Sequence, residues 1–214
     1  MSFLHWILHT LRNPDELIKL SGYPMLILML IIFVETGALI FFLPGDSLLV
    51  TAGLYAARGS LDIWQLNLAL IPMAILGDAL SYTIGKRSGP ALFSRPQSRF
   101  FNPQHLRSAH AFYEKHGGKT IIIARFMPIF RTFVPVVAGA AQMPYARFAL
   151  YNIVGGASWV SSMTLLGYLL ANWAERHNFP IDKHIEKLII LVVFLSVLPG
   201  ILAFLRQKFG KRAA

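Results

Sequence analysis

The segment at residues 121–142, IIIARFMPIFRTFVPVVAGAAQ, places arginines and prolines inside a run as apolar as a membrane span. A charge near the bilayer centre costs ~2.5–3.5 kcal/mol on insertion scales, so Arg125 and Arg131 indicate a functional site. Pro128 and Pro135 each remove a backbone donor and are predicted to interrupt the helix. Broken backbone at membrane depth is tolerated only where protein or a wet cavity covers it. The segment is therefore predicted to be a re-entrant hairpin that enters and leaves on one side.

Composition indicates an all-α integral membrane protein with a single domain over residues 1–214. The chain is 55% hydrophobic and 14% charged, with a mean hydropathy of +0.54. It has no cysteine, which excludes disulfides and thiolate metal sites. The formal charge of +10 is explained by basic cytoplasmic loops rather than by nucleic-acid binding. His5 and His9 are four apart, so a metal pair is possible there, but no third ligand accompanies them. The spacings of His105, His110 and His116 do not place them on one helix face, so no metal or other cofactor is predicted.

The first half of the chain predicts a second re-entrant hairpin. Residues 1–22 are expected to form interfacial helices, and residues 24–43 are long enough to span, although Glu35 interrupts them. Pro44 and Gly45 must break the helix, and a short arm follows at 47–57. Asp46 either joins a buried charged site or simply caps that arm.

Three further spans are predicted, which makes about four in all. They cover residues 63–85, 146–173 and 188–205, and Asp62 is placed to cap the first of them. Asp78 lies within that span and either joins the charged site or satisfies a neighbouring helix. Residues 86–119 form a basic linker, which contains an amphipathic helix between Asn102-Pro103 and Gly117-Gly118.

Charge predicts the orientation, and a weak internal repeat agrees with it. The basic linker 86–119 and the basic C-terminus should be cytoplasmic, so Pro44-Gly45 and the loop 174–186 should be reached from outside. The arginine hairpin then enters from the cytoplasmic side, opposite the first hairpin. LPGDSLLVTAG (43–53) aligns with IFRTFVPVVAG (129–139), and SYTIG (81–85) aligns with MTLLG (163–167). Residues 24–85 and 120–173 are therefore interpreted as the inverted repeats of a secondary transporter, with Asp46 expected near Arg131.

Several dense motifs resemble the DedA family of bacterial membrane proteins, in the superfamily with the SNARE-associated, or VTT, domain. The motifs are FVETG (33–37), FLPGDSLL (42–49), GDALSYTIGKRSG (77–89), FYEKHGGKTIIIARFMPIFRTFVPVVAG (112–139) and YN..G...W.......GY (151–168). The resemblance covers roughly residues 15–205 and implies two re-entrant hairpins and lipid transport across the inner membrane. In bacterial members the implied substrate is undecaprenyl phosphate; other members are linked to phospholipid flipping or scrambling and to the proton gradient. The family's acidic pair falls on Glu35 and Asp46, and its arginine pair on Arg125 and Arg131.

The chemistry of these residues suits a lipid phosphate. Arginine forks bind phosphate through paired hydrogen bonds and keep their charge in the membrane. Glu35 and Asp46 can neutralise the arginines between substrates, and their protonation would link transport to protons. The alternatives are a static salt-bridge cluster, a proton-coupled ion or drug antiporter, and a lipid phosphatase, which would need a nucleophile or base beside the arginines. The expected partners are a membrane lipid and protons, with a homo-oligomer left open.

Overall fold

The structure is a computed structural model that describes residues 23–38, 45–92 and 118–177. All regular secondary structure in these ranges is helical, as expected from the sequence. Six helices follow in chain order: α1 (Pro24–Gly37), α2 (Gly45–Ala57), α3 (Ile63–Leu92), α4 (Lys119–Arg125), α5 (Pro128–Ala140) and α6 (Tyr145–Arg176). The predicted helices of residues 1–22 and 103–117, the span at 188–205 and Pro44 lie outside the described residues.

Two of these helices are transmembrane in length and character. Helices α3 and α6 have 30 and 32 residues, and at ~1.5 Å per residue each exceeds the ~30 Å hydrocarbon core of a bilayer. In the most apolar stretches of α3 and α6, only 39% and 33% of the residues are buried. Large apolar side chains such as Leu68, Leu76, Leu150 and Leu169 are exposed instead. Contiguous apolar surface on this scale is typical of helices that face lipid.

Helix α3 begins as predicted and ends later than predicted. The backbone N–H of Gln65 donates to Asp62 Oδ1 at 2.8 Å, so Asp62 is the expected N-cap. The helix continues to Leu92, and the first residues of the predicted linker 86–119 therefore belong to it. Gly85 does not end the helix, because it serves close packing: a Cβ there would clash with the carbonyl group of Val136 in α5.

Helix α1 is shorter than the span predicted at residues 24–43. It has 14 residues and ends at Gly37. Thr36 and Gly37 occupy its last two positions, and both residue types have low helix propensity. The hydroxyl of Ser81 lies 2.8 Å from the carbonyl oxygen of Thr36 and 3.0 Å from that of Gly37. It thus satisfies carbonyl groups that a helix end leaves open.

The arginine segment is interrupted once, immediately before Pro128. Proline disfavours helical backbone in the residue before it, and Met127 is extended at φ −119° and ψ 108°. Helix α4 therefore ends at Arg125, and Pro128 begins α5. The break predicted at Pro135 is wrong, because this proline lies inside α5. One missing backbone bond is tolerated there, since the next residue, Val136, packs its backbone closely against α3.

The described residues divide into two compact units, one of residues 23–31, 45–71 and 160–177 and the other of residues 32–38, 72–92 and 118–159. Neither coincides with the predicted repeats 24–85 and 120–173. The reason is that α1, α3 and α6 each continue from one unit into the other. Each unit is therefore built from both halves of the sequence.

The same pair of glycine contacts occurs inside each unit. In one unit, a Cβ on Gly53 of α2 would clash with the carbonyl group of Thr164 in α6, and a Cβ on Gly167 would clash with that of Val50. The other unit has the same reciprocal pair between α5 and α3: Gly139 against Tyr82, and Gly85 against Val136. On each helix the contacted carbonyl group lies three residues before the glycine: Val50 before Gly53, Thr164 before Gly167, Tyr82 before Gly85 and Val136 before Gly139. The contacts thus match Gly53 with Gly139 and Gly85 with Gly167, the pairs that the sequence alignment superposes.

Candidate functional site

Four charged side chains are buried in the unit of residues 32–38, 72–92 and 118–159. They are Glu35, Asp78, Arg125 and Arg131, and none is more than 5% exposed. Burying an ionised group is very unfavourable unless it is paired and hydrogen-bonded. Two carboxylates and two guanidinium groups give a cluster with no formal net charge. The four buried charges therefore balance one another.

Arg131 lies in the first turn of α5, where the helix restarts after the break. Its Nη2 donates to Oε1 of Glu35 on α1 in a buried ion pair. Its Cζ lies 4.8 Å from the ring centroid of Trp159 on α6, within cation–π range. Trp159 therefore contacts Arg131 through the face of its indole ring, while Glu35 supplies the anionic partner.

Arg125 is the last residue of α4, and it is held by three acceptors. Its Nη2 donates to the Asp78 carboxylate, to Asn152 Oδ1 at 2.5 Å and to the backbone carbonyl of Ala74 at 3.2 Å. The amide of Asn152 is itself fixed, because Nδ2 donates to the carbonyl of Ile75 at 3.0 Å. Asp78 is therefore the ion-pair partner of Arg125, and its role in a functional site stays a prediction.

Two glycines of α6 make room for the Arg125 side chain. A Cβ on Gly156 would lie 3.4 Å from Arg125 Cζ and 3.1 Å from Ile75 Cγ1, and a Cβ on Gly155 would lie 3.4 Å from Arg125 Cδ. The Cζ of Arg125 is 6.0 Å from the ring centroid of Trp159. Both arginines therefore lie near one fully buried indole ring. Within the described ranges the Nε–H of Arg125 makes no hydrogen bond, although it is buried.

Asp46 lies in the other compact unit, in the first turn of α2. It is buried at 7% exposure. The helix begins at Gly45, one residue before it, so the interpretation of Asp46 as the N-cap is wrong. A carboxylate in the first turn still interacts favourably with the positive end of the helix dipole. The pairing of Asp46 with Arg131 stays a prediction, whereas the pairing of Arg131 with Glu35 is observed.

Sequence reasoning did not assign three residues of the site: Asn152, Trp159 and Gly156. All three lie on α6 within the YN..G...W motif. An asparagine inside an apolar helix was a usable signal, because a buried amide needs partners. The identity of those partners, however, depends on which helices pack together.

Known proteins resemble the chain along nearly its whole length. The VTT domain matches residues 43–169. Protein DedA of Escherichia coli (strain K12) is 42% identical over 209 residues, which cover 96% of this chain and 93% of that protein. Inner membrane protein YqjA of the same strain is 34% identical over 207 residues, covering 95% and 92%. Membrane protein ML0287 of Mycobacterium leprae (strain TN) is 46% identical over 175 residues, covering 82% and 77%. No solved structure matches the chain. The chain belongs to the DedA family of VTT-domain membrane proteins.

Proposed function

We propose that this protein moves undecaprenyl phosphate between the leaflets of the bacterial inner membrane, with its arginines at the phosphate site. The observation that carries the proposal is the buried pair Arg125 and Arg131 beside Trp159, inside a unit whose lipid-facing helices are apolar. Buried arginines suit a ligand that is anionic at its head and apolar elsewhere. The inner-membrane location is proposed by analogy with the relative YqjA, an inner membrane protein. The choice of lipid rests on the family resemblance.

Helix lengths support re-entrant hairpins. Helices α2 and α5 have 13 residues each, and α4 has seven. At ~1.5 Å per residue, none of them crosses a ~30 Å hydrocarbon core. Helices α4 and α5 also contact each other. We propose that α4 and α5 form the cytoplasmic hairpin and that α2 belongs to an opposed hairpin, within a single domain of two inverted repeats. Among the described helices, α3 and α6 are the proposed full spans, because α1 has only 14 residues and falls short by the same measure.

The proposed topology has a direct test. Residues 86–119 and the C-terminus are placed in the cytoplasm, and the loop 174–186 outside, because lysine and arginine concentrate in the first two. Single cysteines at Ser98 and Asn178 should therefore react with an impermeant thiol reagent from opposite sides. The cysteine-free wild-type chain provides a clean background. Labelling of both positions from the same side would rule out the inverted arrangement.

Charge balance gives the proposed mechanism its link to protons. The cluster of Glu35, Asp78, Arg125 and Arg131 has no formal net charge before substrate binds. A lipid phosphate adds negative charge to this buried unit, which is unfavourable unless a carboxylate takes up a proton. Glu35 is the proposed proton acceptor in this unit, and the expected role of Asp46 as a second acceptor stays a prediction. A protonated Glu35 would no longer hold Arg131 as an ion pair, which would release the guanidinium to the phosphate.

Transport by reconstituted protein tests the function. Liposomes should be loaded with undecaprenyl phosphate or phosphatidylethanolamine, with and without a pH gradient. We expect gradient-dependent movement of undecaprenyl phosphate. Faster movement of phosphatidylethanolamine would favour a phospholipid flippase or scramblase, and gradient-driven movement of ions or drugs alone would favour an antiporter. Release of inorganic phosphate from the lipid would instead identify an enzyme, which the proposal excludes.

A further inference from the structure

We propose that the two buried arginines have different roles: Arg131 exchanges Glu35 for the phosphate, whereas Arg125 stays fixed and Asn152 is its positioning residue. This assignment rests on the proposed function, because it concerns how the same site holds a lipid phosphate. It differs from a symmetric clamp, in which both guanidinium groups would release their carboxylates and grip the ligand together.

The partners of Arg125 are unsuited to exchange. One is the backbone carbonyl of Ala74, which is part of α3 and cannot leave. Another is the amide oxygen of Asn152, whose own Nδ2 is tied to the carbonyl of Ile75 at 3.0 Å. A phosphate that displaced Asp78 from Arg125 would leave these neutral acceptors in place, still occupying the same nitrogen, Nη2. The side chain is also enclosed by the close approach of Gly156. Arg125 therefore behaves as a fixed cation that joins α4 to α3 and α6.

The contacts of Arg131 favour exchange. Glu35 is an anionic oxygen ligand, so a phosphate oxygen can replace it with the same kind of charge-assisted hydrogen bond. Trp159 contacts the guanidinium at 4.8 Å through its ring face, and the indole has no carboxylate or carbonyl oxygen that would compete with a phosphate for the N–H groups. The ring can thus hold the side chain in place while the anion changes. Arg131 also lies in the first helical turn after the backbone break at Met127, and its backbone N–H donates to the Met127 carbonyl at 3.0 Å.

Replacing each acid with its isosteric amide distinguishes the role of Arg131 from that of Arg125. The full chain in nanodiscs should be titrated with undecaprenyl phosphate as Glu35→Gln and as Asp78→Asn. If Glu35 competes with the phosphate, its loss should tighten binding about tenfold or more, since a charge-assisted bond no longer has to be broken. Asp78→Asn also removes a buried negative charge, but it frees Arg125 rather than Arg131, so it should tighten binding clearly less than Glu35→Gln does. Equal tightening by both variants, or tightening by Asp78→Asn alone, would overturn the assignment.

Asn152→Leu supplies a second test, which does not depend on the acid variants folding. We expect a maximal transport rate per folded molecule about tenfold lower, with an unchanged half-saturating lipid concentration, because Arg125 loses its placement while Arg131 still binds. Asn67→Leu is the matched control: Asn67 also bridges α3 and α6, through Ser161 and Thr164 in the other unit. Its loss should lower stability and leave both kinetic constants unchanged.

A large rise in the half-saturating lipid concentration for Asn152→Leu would show that Arg125 binds the phosphate directly. Absence of lipid binding by the wild-type protein would instead reject the proposed function, and the assignment with it.

Discussion

Arg131 donates to Oε1 of Glu35 although 96 residues separate the two in sequence. Both side chains are buried, at 5% and 0% exposure. The pair joins the first turn of α5 to the C-terminal part of α1. Arg125 reaches back in the same way to Asp78, 47 residues earlier. These two arginines of the second half of the chain therefore each neutralise an acid of the first half within one compact unit.

A double-mutant cycle on Glu35 and Arg131 should reveal strong coupling. Glu35→Gln or Arg131→Gln alone leaves one buried charge without its counterion, which we expect to destabilise the protein by ~3–5 kcal/mol. The double variant removes both charges and should lose less than the sum of the single variants. Unfolding in detergent measures all three. Additive losses would show that the ion pair does not contribute to the folded state.

The aromatic ring face of Trp159 should contribute to the transport rate. Trp159→Phe keeps an aromatic face for Arg131 and should retain part of the transport activity. Trp159→Leu removes the cation–π contact, worth ~2 kcal/mol when desolvated, and should lower transport about tenfold or more. Trp173→Leu serves as the control, because Trp173 is 54% exposed near the end of α6. Similar rates for Trp159→Leu and Trp159→Phe would exclude a role for the aromatic face.

Equivalent glycines of the two units should respond alike to substitution. Gly53→Leu and Gly139→Leu each force a side chain against the backbone of a neighbouring long helix, at Thr164 and Tyr82. Overpacking of this kind destabilises by ~1–3 kcal/mol or more. Ala146→Leu, at an exposed position in the first turn of α6, should be neutral. Matching losses in thermal stability support structural equivalence of the two contacts, and tolerance at either glycine argues against it.

Replacing Gln142 with glycine should stabilise the turn after α5. The N–H groups of Gln142 and Met143 donate to the carbonyls of Gly139 and Ala138, both at 3.0 Å, which closes a Schellman-type helix end. Gln142 has a φ of 56°, in the left-handed region that favours glycine. Gln142→Gly should therefore raise the stability by ~1 kcal/mol, and Gln142→Val should lower it. A melting temperature lowered by glycine would contradict this account of the turn.

Local features of the fold could be predicted from the sequence, because single residues impose them. Pro128 forces Met127 into extended backbone and ends α4. Asp62 caps α3 through a contact three residues away. The break predicted at Pro135 and the helix end predicted at Gly85 are both wrong. Each residue lies in a helix that continues past it, because tertiary packing outweighs local helix propensity there.

The charged residues of the site were predicted individually, whereas their pairing was not. Apolar surroundings single out Glu35, Arg125 and Arg131 in the sequence, since an ionised group there needs a reason. Which acid meets which arginine depends on how α1, α3 and α5 pack, and sequence spacing carries no information on that. Asn152 escaped assignment for the same reason, because its partners lie 27 and 77 residues away.

The central claim is that the buried arginine site recognises the phosphate of a lipid, and a comparison of two lipids tests it most directly. The wild-type chain in nanodiscs should be titrated with undecaprenyl phosphate and with undecaprenol, which has the same chain but no phosphate. Hydrogen bonds to a charged partner contribute ~1.5–3 kcal/mol each, so the account predicts that the phosphate binds at least about tenfold more tightly. Arg131→Lys should reduce that preference, because lysine lacks the planar fork. Equal affinity of the wild-type protein for both lipids would contradict the account.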